Sequence, residues 1–281
     1  MSAGAEDWIE AAPGIFHRRY EPVDVSVVAI VGPSGVVIVD TRNNAAEGDE
    51  ILRDAASAFP VPVVAAVNTH AHYDHTFGNQ AFAKQGIPIY GHARIPAHFV
   101  AHEAPRLEAV QADPGLEPDK QWQSVKLTPP TILIGSEQRL ELGGRAVELI
   151  PLAPGHTDTD LAVKIPDART WLLGDVIEES GAPMFGSGSF PLTWAASLEE
   201  LLERILPGDT IIPGHGSPVD RAFVAEQARL LAGVAVMILD ARAARTAIED
   251  IVPPAELAAY WPDWMLRSAL RAALRAADDS S

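Results

Sequence analysis

The run NTHAHYDH at 68–75 follows directly on the apolar run PVVAAV at 62–67, and it limits this chain more than any other feature. His70, His72, Asp74 and His75 put four metal-competent groups into six positions at the end of a strand-like segment. In an extended loop, side chains two apart point the same way, so His70 and His72 can face one cation together. Asp74 and His75 are neighbours in sequence and need not share that side. They suit a second cation nearby. A regular helix would not present the four groups in this way. Whatever fold the chain takes must end a buried strand in an open polar turn here, with Gly78 soon after to let the chain turn.

Three further candidates arrive singly, each directly after an apolar run: His156 in LAPGHTDTD, Asp175 in WLLGD and His215 in IIPGHG. A strand delivers such a side chain to a sheet edge. The pattern assigns His70, His72 and His156 to one metal and Asp74, His75 and His215 to another, with Asp175 bridging both. Asp74 and Asp175 can also relay a proton, although their first duty is as ligands. The chain has no cysteine, so the donors are nitrogen and oxygen alone. That set suits Zn²⁺, two per chain, and also accepts Fe or Mn. His17, His92, His98 and His102 read instead as exposed or satisfied within the core. Asp40, closing VVIVD, reads equally as a strand-end cap or as a carboxylate that orients a ligand histidine.

The remaining pattern is α/β. Strands are expected at 14–20, 25–31 and 35–40, then a helix at 45–58, strands at 62–67 and 87–91, and a helix at 93–112. The second half repeats the scheme with strands at 138–142, 145–152, 160–165, 170–174 and 209–213. A Gly- and Pro-rich loop at 176–193 and a helix at 196–205 lie among them. A helical tail at 219–277 is broken at Pro253, Pro254 and Pro262. Two sheets back to back with helices outside, a four-layer α/β/β/α sandwich, fit this order. We expect one domain over 1–281, with a core at about 14–220 and C-terminal helices at about 221–277. The tail reads as an amphipathic cover or as the face of a homodimer.

Lys plus Arg number 21 and Asp plus Glu 38, a formal charge of −17. Such a surface repels phosphate backbones, so a small-molecule substrate is expected and nucleic acid is not. No unbroken apolar run reaches membrane-spanning length, so no membrane partner is expected. The N-terminus lacks a basic start followed by an apolar run, which makes the cytoplasm the default location.

The segments VVIVDT (36–41), NTHAHYDH (68–75), PGHT (154–157), GD (174–175) and PGHG (213–216) resemble, in order and spacing, the signature of the metallo-β-lactamase superfamily. The resemblance covers about 14–220. It implies the αββα sandwich with a helical tail, a metal site at one sheet edge, and a binuclear hydrolase whose metal-bridged hydroxide cleaves an ester, thioester, lactone or lactam. With no cysteine ligand and with Asp175 present, the site is more similar to hydroxyacylglutathione hydrolases and related thioesterases than to true β-lactamases. The alternative within the superfamily is a persulfide dioxygenase, which uses one iron held by two His and one Asp. Substrate contacts are less legible. Met184, Phe185, Phe190 and Trp194 form either an apolar wall or the packing of the loop 178–194. Tyr73 is either an oxyanion donor or a spacer. Arg242, Arg245, Arg267 and Arg271 are available for a substrate carboxylate.

Overall fold

The computed structural model describes residues 7–278. The first half carries β1 (Ile9–Ala12), β2 (Ile15–Tyr20), β3 (Val25–Gly32), β4 (Gly35–Val39), α1 (Ala45–Ala58) and β5 (Val63–Val67). Then come α2 (Tyr73–Thr76), α3 (Asn79–Lys84), β6 (Ile89–His92), α4 (Ile95–His98), α5 (Ala104–Ala112) and β7 (Ile132–Ile134). The second half carries β8 (Gln138–Glu141), β9 (Ala146–Pro151), β10 (Leu161–Ile165), β11 (Thr170–Glu178), α6 (Trp194–Arg204) and β12 (Thr210–His215). The tail forms α7 (Arg221–Ala244), α8 (Ala255–Tyr260) and α9 (Asp263–Asp278).

The strands form one continuous path, β7-β6-β5-β4-β3-β12-β11-β10-β9-β8, with β2 on β3 and β1 on β2. The two expected sheets are therefore joined. The link is one antiparallel pair, His215 with Val25, and the path folds back on itself there. Alternation along the strands explains the layering. On β4, Val37 and Val39 enter an inner core with Val28, Val67, Leu149, Leu161, Leu172 and Ile212, which come from both halves. Val36 and Ile38 point the other way, into a cluster with Ile51, Leu52 and Ala55 of α1. On β11, Leu172 faces inward while Trp171 and Leu173 meet Leu198 and Leu201 of α6 and Val224 and Leu231 of α7. Strands buried on both faces read as unbroken apolar runs, as VVIV and WLL do. The result is helix, sheet, sheet, helix.

Several expected boundaries shift. Strands β1 and β7 were not expected. The helix anticipated over 93–112 contains a π turn at Phe99–Glu103. Strand β11 continues through 175–178 and β12 through 214–215, so Asp175 and His215 lie within strands and do not follow them. The tail breaks where its prolines fall. Helix α7 is apolar and long enough to cross a membrane by length and composition alone, with mean hydropathy 1.7. Here Val224, Leu231, Val234 and Ile238 of that helix pack within the cluster that covers β11.

Candidate metal centre

Strand β5 ends at Asn68, whose side chain donates to the His75 carbonyl and to Asn79 Oδ1 (2.9 and 3.0 Å), while Asn79 Nδ2 donates back to Asn68 Oδ1. This buried amide pair staples the 68–79 segment into a fixed turn. The expectation of a fully extended loop fails in part. His72 is extended, but the chain bends through 69–72, and Tyr73–Thr76 form one helical turn that carries Asp74 and His75 to the other side. A Cβ on Gly78 would lie 1.8 Å from the Thr41 carbonyl, so only glycine lets the 40–42 segment pass this close.

Asp175 owes its aim to an irregularity. The β11–β12 register shifts on both sides of Gly174, whose φ is +56°. Such a bulge re-aims a side chain. His156 sits in a turn held by Asp160, which accepts from the Thr157 backbone N–H and hydroxyl (3.0 and 2.7 Å). Burial pushes the Asp160 carboxyl up to about 7 against those hydrogen bonds. Gly214 on β12 leaves the room that Asp175 fills, because a Cβ there would stand 1.8 Å from Asp175 Oδ1. Gly214→Ala is therefore expected to displace the carboxylate and cut turnover about 100-fold, the cost of a misplacement on the order of 1 Å. The check is kcat and metal content in a folded variant, and unchanged values would contradict it.

All seven side chains singled out by sequence meet at one place. His70, His72, His156 and Asp175 bring donor atoms within 4.8 Å of one another, and so do Asp74, His75 and His215. Asp175 lies between the two groups: Oδ1 is 3.1 Å from His75 Nε2, and Oδ2 is 3.5, 3.6 and 3.7 Å from His156, His215 and His70 Nε2. Asp74 Oδ2 is 3.4 Å from His215 Nε2. The His72 Nδ1 and His156 Nε2 atoms are 2.8 Å apart.

The ring nitrogens facing away fix the tautomers. His72 Nε2–H donates to the Ser187 carbonyl (3.0 Å), His215 Nδ1–H to the Val23 carbonyl (2.8 Å) and His75 Nδ1–H to Asp40 Oδ2 (2.8 Å). Thr69 spends its hydroxyl hydrogen on Asp40, so it accepts from His70 Nδ1–H. In their neutral form four of the five rings thereby turn a lone pair inward, as metal ligation requires. His156 Nδ1 has no hydrogen-bond partner among the described residues. Neither do the buried, inward-facing His70 Nε2 and Asp175 Oδ1, and unpaired buried polar atoms of this kind fit divalent cations as their missing partners. Asp40 orients His75 and takes up the strained φ of +66° to do so.

Charge divides the two groups. Burial, then the facing His156, pushes His72 down to about 3, and burial pushes His156 down to about 4. His70 is well below the ordinary imidazole value for the same first cause. Burial also works against charge on His75 and His215, but Asp175 beside both, Asp40 beside His75 and Asp74 beside each outweigh it and raise both well above that value.

With this geometry in place, comparison with known proteins decides the lineage. The model of the family described as the metallo-beta-lactamase superfamily matches residues 20–215. The chain belongs to the metallo-beta-lactamase superfamily. It is 24% identical over 226 residues to a metallo-beta-lactamase type 2 from Bacillus cereus, covering 80% of this chain and 78% of the relative. It is 31% identical over 145 residues to a hydroxyacylglutathione hydrolase from Brucella anthropi, covering 51% of this chain and 44% of that protein. In fold it is similar to a stereoselective inverting sec-alkylsulfatase from a Pseudomonas species, with a TM-score of 0.73 at 20% identity over 94% of this chain and 49% of that one. These relatives are metal-dependent hydrolases. The His and Asp clusters of this chain are the matching equipment, and the resemblance read from the motifs stands.

Other residues of this superfamily member escaped sequence reading. Glu178, 6 % exposed, brings its carboxylate within 4.8 Å of the Asp175 and His215 donors. Burial, then the Asp175 charge, pushes Glu178 up to about 7. His98 and Glu103 are buried behind His72, and the ring of His98 lies 5.6 Å from that of His72. They are five residues apart, a spacing that shares a face in a π turn and not in an α-helix. Ser187, whose carbonyl holds His72, lies with its hydroxyl 3.3 Å from Glu103 Oε1.

The structure resolves the substrate-contact alternatives in two places. A cavity of about 470 Å³ opens beside the site, and of the proposed apolar wall only Met184 lines it. Phe185 and Trp194 are buried against each other in the core, because the loop folds inward there. Among the tail arginines, none lines the cavity. Arg242 bonds the Ala273 carbonyl and Arg267 the Ile248 carbonyl, so these two serve helix packing.

Proposed function

We propose that this chain is a binuclear hydrolase, with zinc as its native metal, that opens an ester, thioester, lactone or lactam carbonyl in a small molecule. The observation that carries the reading is the second donor group. Asp74, His75 and His215 form a site separate from the His70, His72 and His156 trio, and Asp175 reaches both. A single iron held by two His and one Asp would leave that second group unused. Two divalent cations, when bound, supply an activated water and a Lewis acid for the carbonyl.

The rest of the chemistry belongs to the protein. The cavity takes a small molecule, and its size falls in the usual range for such sites. Four of the five rings are pre-aimed by Ser187, Val23, Asp40 and Thr69, so little reorganisation is needed during turnover. Glu178 lines the cavity on the second-group side, where its carboxyl, raised by burial, is placed to pass a proton to a departing thiolate, alkoxide or amide. Tyr73 also lines the cavity. Its hydroxyl accepts from Lys120 Nζ (3.2 Å), and burial keeps it protonated, so it can donate to a developing oxyanion.

The test is metal analysis of the purified protein with a panel of esters, thioesters, lactones, lactams and alkyl sulfates. Sulfates are included because the fold is so similar to a sec-alkylsulfatase. Two zinc per chain and turnover of a carbonyl substrate are expected. One iron per chain with oxygen uptake would favour the dioxygenase, and turnover of sulfates alone would move the reaction from carbon to sulfur.

A further inference from the structure

Asp74, Asp175 and Glu178 line the cavity, and among the described residues lining it Arg106 is the one arginine or lysine. The Arg106 guanidinium is held in one plane. It stacks 4.6 Å from the centroid of the Tyr73 ring and 5.2 Å from that of Trp122. Its Nε and Nη2 donate to the two oxygens of Glu117, both at 2.7 Å. The fork therefore spends two of its three nitrogens on orientation. No described residue accepts from Nη1. The side chain is 37 % exposed, so this remaining edge is accessible. A planar cation fixed by stacking and by an internal carboxylate loses little freedom when it binds a second carboxylate. The lining also includes Val23, Ala182, Met184 and Trp264, and Trp264 is half-exposed. An apolar stretch can lie there.

We propose that Arg106 forms a carboxylate subsite, so that the preferred substrate carries a free carboxylate on an apolar arm at a distance from the bond that is cleaved. This inference rests on the hydrolase reading for the location of the reacting end. The chemistry favours a carboxylate because the end-on edge, Nη1 with the second Nη2 hydrogen, matches its two oxygens, and because a neutral substrate would leave a positioned cation unused. Glu117 tunes the subsite by partly neutralising Arg106.

Calorimetry on the zinc-loaded protein tests the subsite apart from turnover. Succinate, adipate and suberate are compared with butanoate, hexanoate and octanoate. Each pair shares one carboxylate for the metal end and differs only at the far end. At least one diacid is expected to bind about 10- to 100-fold more tightly than its monoacid, the range for hydrogen bonds to a charged group. Arg106→Gln should abolish that preference, and Glu117→Gln, which frees Arg106 of its internal counter-charge, should enlarge it. Glu117→Gln tests the proposal in the opposite direction and does not depend on Arg106→Gln folding. Equal affinities within every pair, absence of binding by all six acids, or a preference that survives Arg106→Gln in a folded variant would overturn the subsite. A retained diacid preference in a protein that turns over no panel substrate would sink the hydrolase reading and leave the subsite standing.

Discussion

Asp175→Asn is expected to release the second metal and lower kcat/KM by about three orders of magnitude, roughly 4 kcal/mol of transition-state stabilisation. The size follows from its position. One carboxylate stands within 3.1–3.7 Å of four imidazole nitrogens, two from each group. Asparagine keeps the shape but loses the charge that holds His75 and His215 in place. Asp74→Ala and His215→Ala should each lose the second metal and most turnover while the first metal stays, because neither belongs to the His70, His72 and His156 trio. Metal content and kcat/KM measured on the same folded preparations decide the matter. Two metals and a rate within tenfold of the parent in these variants would show that the donor assignment is wrong.

Acid should empty the two positions in sequence. His72 and His156 are pushed down to about 3 and 4, and His70 lies well below the ordinary value, so these rings offer lone pairs down to about pH 5. His75 and His215 are raised by their carboxylate neighbours, so in the metal-free protein each carries a proton at neutral pH. A cation entering their group must displace those protons. Its affinity therefore falls as pH falls, by up to about tenfold per pH unit for each proton released. Dialysis at stepped pH is expected to take the protein from two metals per chain near pH 8 to one near pH 6, with activity following the second metal. Simultaneous loss of both would contradict this ordering.

The candidate donor cluster was legible because metal ligation narrows residue types severely and because each group follows an apolar run in the sequence. The helix at 45–58 and the β-meander before it were legible for similar reasons. Apolar positions at helical spacing and strands cut by Gly and Pro are local signals. What escaped depends on tertiary placement. Glu178 reads as part of a loop until the Gly174 irregularity carries β11 onward to 178. His98 and Glu103 share a face only because of a π turn, which no period in the sequence announces. Arg106 lies about 30 residues from the nearest motif, and its role comes from stacking on Tyr73 and Trp122. Strand β7 spans three residues, too few for alternation to register. The Asp40 alternatives resolve in the structure, where its carboxylate binds His75 and Thr69.

The central claim is that seven side chains hold two cations with Asp175 between them. Anomalous diffraction from crystals of the zinc-loaded protein tests it most directly. The account predicts two zinc peaks, one among His70, His72 and His156 and one among Asp74, His75 and His215, each in contact with Asp175. A single peak, or peaks bound elsewhere with these side chains turned away, would contradict it.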